Sequence, residues 1–161
     1  MTDDSRAFLR HVLATLAYRA AKPLRDAPET FGSFRASETT RTPVQVLAHM
    51  GDLVDWALTL VAGAERWHDA DPLPWHDETA RFFAALARLD QALASEAAAS
   101  VPEATLFKLF QGPLADAFTH VGQLTMLRGQ FGAPIRGENY YRADIATGRV
   151  GPAQTAPRRE F

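Results

Sequence analysis

The sequence predicts an all-α protein in which four long helices form a bundle. Long stretches repeat apolar residues at intervals of three and four, as one face of an α-helix does. Outside residues 136–161, no stretch alternates apolar and polar residues as a half-buried strand would. With 161 residues, 47% of them hydrophobic and 22% charged, the chain has the size and composition of one globular domain with a sizeable core.

The first predicted helix covers residues 5–21, where apolar side chains recur at helical spacing between arginines. Asp4 or Ser5 can cap its N-terminus, since short polar side chains accept hydrogen bonds from free backbone N–H groups. Pro23 marks a break. Residues 22–41 are polar with few periodic apolar positions, which predicts a long first connection.

The second helix is predicted to begin at Thr42 and Pro43. Threonine is a good N-cap, and proline at the first helical position loses no hydrogen bond. The apolar stripe continues to about Trp67, and a turn-rich loop follows over residues 69–75.

Two more helices follow. The third is predicted over residues 76–95, and the last long helix runs from about Pro113 to Phe131, where Gly132 ends it. A short apolar piece over residues 104–110 precedes the last helix. The inward face of the third helix is predicted to consist of Phe82, Phe83, Leu86, Leu89 and Leu93.

Residues 136–161 are predicted to form an extended C-terminal tail on a bundle of residues 1–135. Five of the 17 basic residues but three of the 19 acidic residues lie in this tail. A basic tail on an acidic body favours docking of the tail on the bundle. Tyr140 and Tyr141 either cover a groove or anchor the tail.

Charge and composition exclude several classes of function. A formal net charge of −2 without a concentrated basic face gives no support for nucleic-acid binding. The absence of cysteine excludes disulfides, thiolate nucleophiles and zinc held by cysteine. The polar, acidic N-terminus does not resemble a signal peptide, and no apolar run approaches the ~20 residues of a membrane span. We therefore expect a cytoplasmic protein that does not bind a membrane.

Two histidines on two long helices are the candidates for chemistry. His120 has Asp116 one turn before it and Gln123 one turn after it, so that all three can share a helix face. His49 on the facing helix can complete a divalent-metal site with His120 and Asp116, and Gln123 is a weaker candidate ligand. Imidazole and carboxylate together suit zinc, nickel, iron or manganese.

A structural interpretation of the same residues stays open. His49 can be a histidine at the edge of the core, hydrogen-bonded to a carbonyl, to Asp52 or to Asp55. His120 and its neighbours can equally be a hydrogen-bonded polar cluster that binds no metal. The remaining candidates are predicted to be surface or packing residues: His11, His68 and His76 on the surface, and Trp56, Trp67, Trp75, Phe82 and Phe83 in the core or lining a groove.

The chain resembles the DinB-like superfamily, which includes damage-inducible DinB proteins, metal-dependent hydrolases and thiol S-transferases. The resemblance rests on residues 42–49, on Trp56 and on the Arg-Gly-Gln sequence at residues 128–130, and it spans most of residues 5–134. It implies a four-helix bundle, often dimeric, with three histidines around a divalent metal. His49 matches the first of these histidines.

The other two ligand positions of the family correspond here to Gln123 and Leu127, and leucine cannot bind a metal. Either the site has shifted to His49, His120 and Asp116, or metal binding has been lost.

Two classes of function therefore stay open. One is a metal-dependent thiol S-transferase or hydrolase acting on a small molecule or a low-molecular-weight thiol. The other is a non-catalytic small-ligand-binding or structural protein with a degenerate metal site. We expect a homodimer in either case.

Overall fold

The computed structural model describes every residue from Met1 to Phe161 and is helical, which confirms the all-α prediction. The only strand-like pairing is an isolated antiparallel bridge between Glu138 and Glu160. The helices are α1 (Asp3–Leu24), α2 (Glu29–Gly32), α3 (Pro43–Val61), α4 (Trp75–Ala94), α5 (Glu103–Leu109) and α6 (Ala115–Gln130).

The four long helices α1, α3, α4 and α6 share one hydrophobic core. Helix α3 packs on α4 and on α6, and α1 packs against the same two partners. The largest fully buried side chains come from several helices, so that no helix could bury its apolar face alone. The five residues predicted to face inward on α4 are all buried, as predicted: Phe82, Phe83, Leu86, Leu89 and Leu93.

Helix α1 is longer at both ends than the sequence indicates. Thr2 caps it by accepting a hydrogen bond from the Ser5 amide, so the prediction of Asp4 or Ser5 as the cap is wrong. Asp4 instead lies in the first turn, where the helix dipole favours an acidic side chain. Pro23, which was predicted to mark a break, lies within the last turn, and the helix ends one residue later at Leu24.

The long first connection contains a short helix with a core residue. Phe31, in α2, is completely buried, and its ring packs edge-on against Trp75 at 5.1 Å and Phe131 at 5.4 Å. One aromatic residue without periodic neighbours carries no helical signal in the sequence, which is why this anchor was not predicted.

Helix α3 begins as predicted. Thr42 accepts a hydrogen bond from the Gln45 amide, and the Gln45 side chain accepts one from the Thr42 amide, which forms a capping box. The helix ends at Val61, six residues before the predicted end at Trp67. Gly63 has a φ of +70°, a conformation that glycine adopts readily and that commonly ends helices.

Helices α5 and α6 are joined by one π-helical turn, Phe110–Leu114, instead of a break. Pro113 lies within this turn. Its ring lacks an N–H and would clash with the Leu109 carbonyl in a regular α-helix, and the wider turn relieves that clash. The predicted start of the last helix near Pro113 is thus two residues early, and α6 begins at Ala115.

The tail of residues 136–161 packs against α1. The Tyr18 hydroxyl donates to Glu138 at 2.6 Å, and the Lys22 ammonium bonds Glu138 at 3.0 Å and Glu160 at 2.7 Å. The tail was expected to dock through its basic residues on acidic groups of the bundle, and this expectation is wrong about which charges meet. Acidic groups of the tail meet a basic residue of α1, because a local ion pair outweighs the net charge of a segment.

Tyr140 is an anchor of this tail. Its ring packs edge-on against Tyr18 at 6.3 Å, and the Arg19 guanidinium lies 4.2 Å from its centre. Tyr141 is 98% exposed and covers no groove.

By length and composition alone, α3 could cross a membrane, with a mean hydropathy of 1.2 over its most apolar window. Half of that window is buried inside the protein. The core helix of a globular fold has the same properties.

Candidate metal centre

The two histidines singled out in the sequence meet between α3 and α6. His49 lies in the first half of α3, and Asp116 and His120 lie one turn apart on α6. Because α3 and α6 pack against each other, the three side chains converge, with His120 buried and Asp116 about half exposed. The structure thus brings together the three residues predicted to share a site.

Asp116 lies between the two imidazoles. Its Oδ2 is 3.5 Å from His49 Nε2, and its Oδ1 is 3.4 Å from His120 Nε2. The rings of His49 and His120 are 5.0 Å apart and nearly perpendicular. One ligand atom from each residue lies within 4.8 Å of the other two.

These distances fit metal ligands better than hydrogen-bonded partners. A charge-assisted hydrogen bond between imidazole and carboxylate is about 2.7–2.9 Å long. Two ligands at about 2.1 Å from one tetrahedral ion are separated by about 3.4 Å. Each separation matches the second geometry, one through each oxygen of Asp116, so both histidine nitrogens lie at a ligand-to-ligand distance from this carboxylate.

Gln123 lies beside His120 on the same face of α6, as predicted. Its Oε1 is 2.8 Å from His120 Nδ1 and accepts a hydrogen bond from it. That bond keeps the proton on Nδ1 and leaves the lone pair of Nε2 directed at Asp116. Gln123 therefore orients His120 through its side-chain oxygen, and its role as a metal ligand stays a prediction.

A pair of tryptophans borders the site on the side of His49. The Trp67 ring packs edge-on against His49 at 5.7 Å and against Trp56 at 5.8 Å. Trp67 lies beyond the end of α3, in the loop that returns the chain to α4. The sequence predicted groove lining or core for both residues, and the structure places them at a groove, whereas Trp75 is in the core.

The carboxylates proposed as hydrogen-bond partners of His49 are engaged elsewhere. Arg81 on α4 binds Asp52 at 3.0 Å and the buried Glu78 at 2.5 Å, and Asp55 accepts from Arg88 at 2.7 Å. Burial alone would lower the pKa of Arg81, but its bonds and charge interactions with the carboxylates outweigh this and raise it. This network holds α3 on α4 and leaves His49 free to face Asp116.

The other histidines take no part in the site. His11, His68 and His76 are exposed, as predicted. His76 Nε2 lies 3.4 Å from a Glu29 carboxylate oxygen. Leu127, which the family resemblance matches to a ligand position, is buried.

An open cleft of about 370 Å³ lies beside His120. A second, more polar groove lies beside His49, and Arg41 lines both. The cleft is lined by Thr40, Arg41, Val46, His120, Gln123, Met126 and Leu127.

Two imidazoles and one carboxylate from two packed helices form a ligand set that leaves coordination positions open toward solvent. Such a set can hold an ion and still admit a water molecule or a substrate atom. No family model, curated protein or solved structure matches this chain.

Proposed function

We propose that this protein is a DinB-like four-helix bundle that binds one divalent cation through His49, Asp116 and His120 and catalyses hydrolysis or thiol transfer. The observation that carries the proposal is the spacing of Asp116, whose two oxygens lie 3.5 and 3.4 Å from the two histidine nitrogens. Four long helices around one core support the bundle. In the resembling family, two of the metal ligands stand at the positions that Gln123 and Leu127 occupy in this chain. In the proposed site His120, one turn before Gln123, is the ligand from this helix together with Asp116.

Each residue of the proposed site has a defined role. His49 and His120 supply neutral nitrogen ligands, and Asp116 supplies the anionic ligand that compensates part of the ion's charge. Gln123 holds His120 in the tautomer that binds an ion through Nε2. The Thr119 hydroxyl donates to the Asp116 backbone carbonyl at 2.7 Å and lies 3.3 Å from Asp116 Oδ1.

The ion would lower the pKa of a bound water or thiol and so supply a nucleophile near neutral pH. Zinc, nickel, iron and manganese all accept this ligand set. A nucleophilic cysteine is excluded because the chain contains none.

The test is metal uptake by protein purified without an affinity tag. We expect about one equivalent of metal by inductively coupled plasma mass spectrometry after incubation with zinc, nickel or manganese and gel filtration. The variants His49→Gln, His120→Gln and Asp116→Asn should each lose it. His11→Gln, which changes an exposed histidine outside the site, should bind as wild type does.

No uptake by the wild type, or equal uptake by all variants, would contradict the proposal. The alternative is then a metal-free protein that binds a small molecule in the cleft beside His120.

We also propose a homodimer. Phe8 and Phe110 are exposed with their rings 6.5 Å apart, and the exposed Phe107 precedes Phe110 by three residues, so these phenylalanines offer an apolar surface. Light scattering after size exclusion should give twice the mass of one chain for the wild type. It should give a reduced mass for Phe107→Glu, whereas an unchanged mass would exclude this surface.

A further inference from the structure

We infer that the cleft beside His120 binds a small organic anion with an apolar body, and that this anion is the substrate class of the proposed metal centre. The inference therefore rests on the proposed function for the reaction, but the binding itself is a separate property of the cleft. It follows from the size, the charge and the apolar lining of the cleft.

The cleft has the dimensions of a small-molecule site. Its volume of about 370 Å³ lies within the range of natural ligand pockets, and His120 forms part of its wall. A molecule bound there would lie against the His120 ring and against Gln123, which bonds His120 Nδ1.

One side of the cleft is apolar and open. Val46 and Leu127 line it from α3 and α6, with only small parts of their surfaces exposed. Met126 lies beside them and is 58% exposed, so a ligand that buries its side chain would be stabilised by the apolar contact. The flexible thioether chain of methionine adapts to ligands of varied shape, as it does at other binding surfaces.

The charge of the cleft is positive. Arg41 is its only arginine or lysine, and no aspartate or glutamate lines it. The Arg41 guanidinium makes no ion pair and no side-chain hydrogen bond within the chain. A bound divalent cation would add to the positive potential. A carboxylate or a phosphate suits this environment, because a guanidinium binds both groups in a bidentate manner.

Arg41 also has a fixed position in the fold. It directly precedes Thr42, whose capping box holds the start of α3. It lines both the cleft beside His120 and the groove beside His49. An anion bound by Arg41 in the cleft would thus have its apolar body on Met126 and Leu127 and would lie beside His120.

The test uses 1-anilinonaphthalene-8-sulfonate, a fluorescent anion with an apolar body, titrated into metal-free and zinc-loaded protein. We expect Arg41→Gln to weaken its binding by about tenfold or more, the effect of losing one charge-assisted hydrogen bond. Met126→Glu, which places a carboxylate in the cleft, should weaken it as well. Arg142→Gln removes an exposed arginine of the tail and should leave binding unchanged.

Competition then defines the anion. Decanoate and decyl phosphate should displace the probe, and the tighter of the two identifies the preferred head group, whereas decyltrimethylammonium, which has the same chain and the opposite charge, should not. Equal binding of the probe by Arg41→Gln and wild type, or equal displacement by the cationic competitor, would overturn the inference.

Metal content measured on the same samples separates the two proposals. Zinc uptake by Arg41→Gln should equal that of the wild type, since Arg41 is not a ligand. Failure of the wild type to bind zinc would remove the metal centre, whereas the titration of metal-free protein tests the anion cleft by itself.

Discussion

Replacement of Gly51 by alanine should destabilise the protein, although alanine is the better helix former. Gly51 is buried in α3, two residues after His49. A Cβ atom at this position would lie 2.7 Å from Arg81 Nη2 and 2.8 Å from Arg81 Cζ, so the guanidinium must move. Its bonds to the Ala48 carbonyl, Asp52 and Glu78 would then be strained or lost.

Two opposing free energies decide the outcome. Alanine in place of glycine within a helix contributes about 1 kcal/mol to stability. Displacement of Arg81 leaves Glu78, which is completely buried, and Asp52, which is 6% exposed, without their counter-charge. Breaking a buried ion pair in this way costs about 3 kcal/mol or more. We therefore expect a net loss of about 2 kcal/mol in the free energy of unfolding, and a fall in Tm of about 4–8 °C for a chain of this size.

Urea and thermal unfolding measure this change, and two controls isolate its cause. Gly122→Ala lies on the exposed face of α6 with nothing within 4 Å of the added Cβ, and it should raise stability by about 1 kcal/mol. In an Arg81→Ala background the clash is absent, so Gly51→Ala should become stabilising there. A Gly51→Ala protein as stable as wild type would refute the reasoning, because Arg81 would then be able to move at no cost.

Four further outcomes test other parts of the fold and the site. Thr42→Ala should lose about 1 kcal/mol in urea unfolding, because the capping box of α3 is lost; an unchanged midpoint would contradict this. Arg128 donates to the carbonyls of Pro23, Arg25 and Ala133, and Arg128→Met should cost about 1–3 kcal/mol in the same assay. The hydrogen bond from Lys22 lowers the pKa of Glu160. Burial lowers the pKa of Lys22, but its hydrogen bonds to Glu160 and Glu138 outweigh this effect and raise it. The contribution of Glu160 to tail docking is therefore present above its ordinary pKa and lost as the pH falls through the lowered value, and that of Lys22 is lost as the pH rises through its raised value. Amide protection factors across residues 138–160 should fall at both extremes, and Lys22→Met should abolish this dependence. Zinc at a hundred times its Kd should raise the free energy of unfolding by about 2.7 kcal/mol and shift Tm accordingly, an effect that His120→Gln should remove.

Much of the helical architecture follows from local sequence. The inward face of α4 could be predicted because apolar spacing depends only on helix geometry. Thr42 and Pro43 mark the start of α3 because capping is decided within one turn of chain. Asp116 and His120 could be paired for the same reason, since residues four apart lie on one face of a helix. The sequence also nominated His49 as a partner, by its place on a long amphipathic helix and by family resemblance.

The remaining features depend on contacts between distant parts of the chain. Only the packing of α3 on α6 directs His49 at Asp116, because Arg81 and Arg88 from α4 occupy the aspartates on its own helix. Trp67 reaches His49 because α3 ends early and the chain turns back. The tail docks through its acidic residues on Lys22, against the sign of its net charge. Periodicity and capping act within a few residues, whereas a site between helices is determined by which faces pack together, and that is a property of the whole core.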